Sequence, residues 1–431
     1  MKPHQPTFIP AKKTTYISVF YWVLASLFYI YEMVLRASTG IFAHDLREAF
    51  CLNAEQLGFF SSLYYWAYTP LQIPCGLILD RFGARRILTL SCFVCAFGAL
   101  VLGYTHSLIV ASVMRWSIGA GSACSFIGCL ALIAGWFDPK HFAFMTGMTS
   151  LMGCIGGMIA GKPLAWLSEA FGWRASLSLL GVMGMVLSVV IWMTIRDAQA
   201  RSDTPRSPQQ DPFVTSLLMI LREKQVWLSG IIAGLLYLPV SAFAELWAVP
   251  FLQATYGIDR GQAAYVPMAL YCGMGIGSPM MAVIAAQLNS YKQTLQWGTI
   301  VSGLLFLGIV FAPYIPFFGM IVLSGVLGMV LGSQVLTFSV SKESMPHAMG
   351  GATAGMTNGI CMFFALLFQP LLGMLLDHQW IIQAGKDVNG VREYTAEMYR
   401  YAMFSFPLCF ILSFILLKCL RESYSHRKHL K

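Results

Sequence analysis

Five charged side chains stand in stretches of sequence that are otherwise apolar. Glu32 and Arg36 sit in Tyr31-Glu-Met-Val-Leu-Arg36, Arg115 in Val-Met-Arg-Trp, Lys162 before Pro163, and Glu245 shortly before Trp247. A charge near the centre of an apolar membrane helix costs at least ~2.5 kcal/mol, so each needs a partner or a task. Glu32 and Arg36 are four residues apart, neighbours on one helical face. They form either a self-neutralising pair that orients its helix or a pair facing a cavity. In the second case Arg36 grips a carboxylate through two parallel hydrogen bonds, and Glu32 takes up and releases protons. Glu245 has no cation on its own segment and is the alternative proton carrier. Lys162 either snorkels to an interface or meets a solute. Three cations against two acids favour a solute with at least one negative charge, including a zwitterion.

The elements that carry these residues are membrane helices. Apolar residues make up 57% of the 431 and charged ones 11%, where a soluble domain carries roughly 25% charged. Stretches of about 20 mostly apolar residues, the length of a span, recur twelve times. They fall near 16–44, 55–79, 87–104, 108–136, 142–168, 174–195, 226–253, 263–287, 294–312, 317–340, 348–376 and 400–418. Lipid cannot satisfy open backbone groups, and these runs are too long for barrel strands, so an all-α polytopic fold is expected. With the N-terminus inside, nineteen of the 28 basic residues fall in inner segments. Both termini are therefore expected in the cytoplasm, and the net charge of +9 is a topology signal and no sign of nucleic-acid binding. The absence of any Asn-x-Ser/Thr sequon is compatible with a bacterial origin. The first span has no small-residue cleavage site after it and reads as a retained helix.

A Pro- and charge-rich stretch divides six spans from six. The expected organisation is a half over 1–195, a cytoplasmic linker over 196–225, a second half over 226–418 and a basic tail over 419–431. The halves resemble each other at an offset of about 207 residues. Met145–Thr149 matches Thr353–Thr357, Lys162-Pro-Leu matches Gln369-Pro-Leu, and Cys51-Leu-Asn-Ala-Glu-Gln-Leu-Gly58 lines up more loosely with Gly257-Ile-Asp-Arg-Gly-Gln-Ala-Ala264. A parallel repeat of this kind predicts a solute site between the halves near the midplane. Within that frame Tyr31, Glu32, Arg36, Arg115, Lys162, Glu245, Trp247 and Gln369 are the candidate solute and coupling residues. Tyr64, Tyr68 and Gln72 lie on one stripe at steps of four, a spacing read as packing more than binding. Asn358 and Gln334 are minor candidates for lining groups. The eleven cysteines lie mostly in the spans, and Cys92-x2-Cys95 reads as small packing residues.

One loop names a family. Gly76-Leu-Ile-Leu-Asp80-Arg81-Phe-Gly83-Ala-Arg85-Arg86 resembles the signature loop of the major facilitator superfamily. Gly76 is expected to let its helix approach a neighbour closely. Asp80 is expected to meet the positive end of a nearby helix, and Gly83 to make the turn. Arg115-x3-Gly119-x-Gly121 and Trp136-Phe-Asp-Pro139 are similar to the family as well. The resemblance implies twelve helices in two pseudo-symmetric halves, an alternating-access transporter, and central lining by spans one, four, five and seven. The strings around Phe28–Ser38 and Tyr68–Gly76 are similar to a subgroup of phagosomal amino-acid or nucleoside transporters of intracellular bacteria, and to related carboxylate-siderophore carriers.

The reading is a proton-coupled importer of an amino acid or similar zwitterion, with an organic-anion or siderophore carrier of either direction as the alternative. A functional monomer in a bacterial inner membrane, contacting only solute, protons and lipid, is expected. The proton gradient supplies the energy and no cofactor or metal is needed. No metal-ligand spacing, nucleophile elbow or phosphate-binding loop speaks for an enzyme.

Overall fold

The computed structural model describes residues 16–138, 141–197, 213–312, 315–346, 350–388 and 391–421. Within them eleven helical stretches are long and apolar enough to cross a bilayer: Tyr16–Ile41, Ala84–Tyr104, Leu108–Trp136, Phe144–Phe171, Trp173–Thr194, Lys224–Tyr256, Arg260–Leu288, Tyr291–Phe311, Phe317–Glu343, Gly351–Ile382 and Ala396–Cys419. The twelfth, Ala54–Phe82, has 29 residues and is less apolar because it carries Tyr64, Tyr65, Tyr68 and Gln72. We call these spans one to twelve in chain order, Ala54–Phe82 being span two. The protein is an all-α membrane protein with the expected twelve helices. Its described strand pairing is limited to Asp387–Val388 against Val391–Arg392.

The repeat seen in the sequence has a local structural counterpart. Asn53 accepts from the Gln56 amide at 2.8 Å and donates its own amide to the Gln56 side chain at 3.0 Å, a capping box that starts span two. Asp259 accepts from the Gln262 amide at 2.7 Å at the start of span eight. Within the expected linker, Phe213–Arg222 is helical, whereas 198–212 lies outside the described residues. The basic tail is described only as far as Arg421.

The halves meet along two antiparallel pairs, span two with eleven and span five with eight, and both pairs splay. At one end a Cβ on Gly373 would overlap the Ala54 carbonyl, and one on Gly58 the Gln369 carbonyl. Further along, a Cβ on Gly355 would stand 3.5 Å from the Gln72 carbonyl, and at Gly76 it would meet none of the described residues within 4 Å. In the other pair Gly161 is close to Met268, while a Cβ on Gly147 would meet none of the described residues within 4 Å. Among the described residues the halves therefore splay like a wedge, packed tightly at the face that carries the strand pairing (the hairpin face) and further apart at the face that carries the Gly83 turn (the motif face).

Candidate functional site

Span seven is not a regular α-helix where it carries its acid. Pro239 has no amide hydrogen and crowds the preceding turn, and Pro239–Trp247 runs as a π-helix, a deviation frequent at functional sites. This turns Glu245 toward the first half. Its carboxylate meets the Arg36 guanidinium at 3.0 Å, both side chains being at most 2% exposed. Sequence reasoning allowed Arg36 to pair with Glu32 and left Glu245 without a cation; the structure reverses this. Four residues along a helix turn the side-chain direction by about 40°, enough to send Glu32 and Arg36 to different neighbours.

Phenols surround the pair. Arg36 Nε donates to the Tyr65 hydroxyl at 3.0 Å, and Nη2 donates to the Tyr237 hydroxyl at 3.3 Å. Tyr65 in turn donates to Glu245 through a short hydrogen bond, and Tyr271 donates to the same carboxylate at 3.2 Å. The guanidinium also lies 5.2 Å from the Tyr65 ring centroid and 5.8 Å from that of Tyr237, distances at which a ring face attracts a cation. Glu32 accepts from Tyr64 at 2.8 Å and from Ser125 at 3.2 Å, and none of the ion pairs among the described residues includes it. Arg115 donates to the Leu35 and Arg36 carbonyls at 2.9 Å each, and its Nε has no hydrogen-bond partner among the described residues. It braces span one from behind and reaches Arg36 through the backbone.

The other expected residues fall elsewhere. Tyr31 turns away from the second half, its hydroxyl packed against Gly184 of span six. Lys162 is half-buried near the hairpin face, its Nζ against Gly261 and 5.8 Å from the Tyr265 ring. Trp247 donates to the Gln369 carbonyl at 3.3 Å, and the Gln369 amide to the Ser241 carbonyl at 2.7 Å, so the two tie span seven to span eleven beside the π-helix. Asn358 donates to Gln72 across the halves at 3.0 Å, on the motif-face side of the ion pair. Tyr65, Tyr237 and Tyr271 were not singled out from the sequence. Buried phenols on three spans were the available signal, but only their helices' packing turns them onto one charge.

At the signature loop Gly83 has φ +84°, a conformation that favours glycine. The acid at the start of span three is Asp197, which accepts from the Arg85 amide at 2.9 Å. Arg85 also donates to the Trp192 carbonyl at 2.8 Å and stacks 4.3 Å from the Trp192 ring. Arg81 and Arg86 are exposed. Among the described residues, none stands within 4 Å of a Cβ placed on Gly76. The Asp80 side chain lies outside those described.

The family model described as Major Facilitator Superfamily matches residues 21–370. The chain belongs to that superfamily. It is a multi-pass secondary transporter of a small molecule, not an enzyme. A transporter of Bacillus subtilis (strain 168), YybO, is 23% identical over 83% of this chain and 87% of its own length. The probable galactarate/D-glucarate transporter GudP of the same organism is 28% identical over 45% of this chain and 44% of its own. The probable L-galactonate transporter of Escherichia coli (strain K12) is 26% identical over 54% of each. The matches to these two sugar-acid carriers thus span about half their length. Among solved structures, an inward-facing, occupied bacterial homolog of the human lysosomal transporter Spinster superposes with a TM-score of 0.74 at 14% identity, covering 93% of this chain and 96% of that one. A D-xylose-proton symporter superposes with a TM-score of 0.71 at 11% identity over 94% and 98%. At these identities the two share the superfamily's fold with this chain and nothing finer.

Proposed function

We propose that this superfamily member imports a small organic acid together with protons, by alternating access between its halves. The observation that carries the reading is the buried Arg36–Glu245 pair, which joins span one to span seven across the halves. A solute carboxylate, able to engage a guanidinium through two parallel hydrogen bonds, competes for Arg36 with Glu245, which meets it through a single 3.0 Å contact. A proton on Glu245 removes the competitor, so proton binding and anion binding favour each other. Glu32, held by hydroxyls, is the second proton-accepting group. Relatives named as carriers of galactarate, glucarate and L-galactonate support an acid over a neutral sugar. An amino acid is the second reading, because none of the ion pairs among the described residues includes Glu32, an acid that an ammonium group can engage.

The basic residues put the motif face in the cytoplasm. The wedge is then open inward and closed outward, in a bacterial inner membrane, with the monomer as the working unit. The test is uptake into proteoliposomes of labelled glucarate, galactonate, amino acids and nucleosides, with and without an acid-outside gradient. Gradient-driven accumulation of a sugar acid, abolished in Arg36→Ala and reduced to gradient-independent exchange in Glu245→Gln, is expected. Accumulation of amino acids alone selects the second reading. Flux indifferent to Arg36→Ala refutes the site.

A further inference from the structure

Asp377 belongs to none of the motifs above, yet it is the most heavily bonded acid at the hairpin face. It closes Gly373-Met-Leu-Leu-Asp377 at the far end of span eleven, the same Gly-x3-Asp spacing as Gly76–Asp80 at the end of span two. Because the two spans run antiparallel and touch at Gly373, Asp377 arrives at the N-terminus of span two in the other half. Its Oδ2 accepts from the Glu55 amide at 2.8 Å. Its Oδ1 accepts from Arg392 Nη1 at 2.9 Å and, through a short bond, from the Tyr394 hydroxyl. That hydroxyl also accepts from the Ala54 amide at 3.0 Å.

Two of the amides left open at the start of a helix are thus satisfied from the opposite half, and a negative charge sits on the positive end of the helix dipole. Arg47 of the first half adds a lid. It donates to the Arg392 carbonyl and lies 4.7 Å from the Tyr394 ring. Burial, and then the Asp377 carboxylate, push the Tyr394 phenol well above its ordinary range, so it remains a donor. A second bridge, Arg260 to Asp45 at 2.6 Å, crosses the halves at the same face.

We propose that Asp377 is a positioning residue of the transport cycle: by capping span two from the other half it holds the hairpin face closed, and its release is the step that opens that face. The proposal rests on the alternating-access reading above, but its test reads the opening of a face and does not depend on the solute's identity.

The full chain, with exposed Cys51, Cys272 and Cys419 changed to serine, is placed in lipid nanodiscs. Spin labels at His44→Cys and Lys386→Cys report distance across the hairpin face; labels at Arg86→Cys and Lys342→Cys report the motif face. Asp377→Asn is expected to raise the long-distance fraction at the hairpin face about tenfold, equivalent to about 1.4 kcal/mol, while the motif face shortens. Asp377→Glu restores most of the closed fraction, and Glu397→Gln, an exposed acid of the same face, leaves it unchanged. Tyr394→Phe keeps every carboxylate and removes one of the two capping contacts, so it shifts the same distribution by a smaller factor. Wild-type distributions at both faces in Asp377→Asn and Tyr394→Phe overturn the proposal. A shift with no transport of any solute leaves the latch standing and removes the solute reading.

Discussion

Separating Arg36 from Glu245 is the sharpest perturbation this structure offers. At 3.0 Å and an effective dielectric of about 20, their attraction is about 5.5 kcal/mol. Much of that offsets the cost of taking both charges out of water. What removing one partner exposes is the other, buried and unpaired, at about 3–5 kcal/mol. Glu245→Gln falls at the low end, about 3 kcal/mol, because Arg36 keeps Tyr65 and Tyr237 as acceptors. Arg36→Met falls in the same range, since Glu245 keeps only the two donors Tyr65 and Tyr271. The double variant leaves no unpaired charge and is expected to lose less than the sum, with a coupling of about 2–3 kcal/mol, inside the range seen for contacting residues. The assay is reversible unfolding of the four proteins by sodium dodecyl sulfate in mixed micelles, followed by circular dichroism. Losses that add to within about 0.5 kcal/mol, the behaviour of independent sites, refute the pairing across the halves and the competition mechanism built on it.

The wedge predicts opposite responses at two glycines. Gly76→Ala meets none of the described residues within 4 Å and should leave stability unchanged or raise it by up to about 1 kcal/mol through helix propensity. Gly373→Ala meets the Ala54 backbone and should cost about 1–3 kcal/mol as an overpacked contact. Equal effects in the same unfolding assay would mean that the two ends are not splayed. The paired caps give a third test. Asn53→Ala and Asp259→Ala should each cost about 1 kcal/mol, and a negligible loss in either shows that its side chain does not cap its span.

Much of the fold was legible because it is written locally. Apolar runs of membrane length, the basic loops and the Gly83 turn are properties of consecutive residues, and so are Asn53 and Asp259 three residues before a glutamine. The site was legible in part: charges in apolar helices are costly wherever the helices go, so Glu32, Arg36, Arg115 and Glu245 were found before their positions were known. Lys162 and Tyr31 stand away from the Arg36–Glu245 pair, Lys162 in the interface position that was one of its two readings. Residence in a lining helix does not say which way a side chain turns, and one points to the rim, the other into its own half.

What the sequence alone determined about this protein is its solvent, its helices and the short inventory of charges that must be accounted for inside the membrane. Those follow from hydration costs and from backbone hydrogen bonding, which act residue by residue. Only the tertiary structure decided which charges meet. Glu32 was one helical turn from Arg36, yet Arg36 took its acid from span seven. It did so because the π-helix after Pro239 swings Glu245 across the boundary, and because phenols from spans two, seven and eight converge there. The same holds for Asp377, whose partner amides begin a helix more than three hundred positions earlier. An ion pair or a cap is settled within a few ångströms, and across two halves of a chain that distance is set by packing alone.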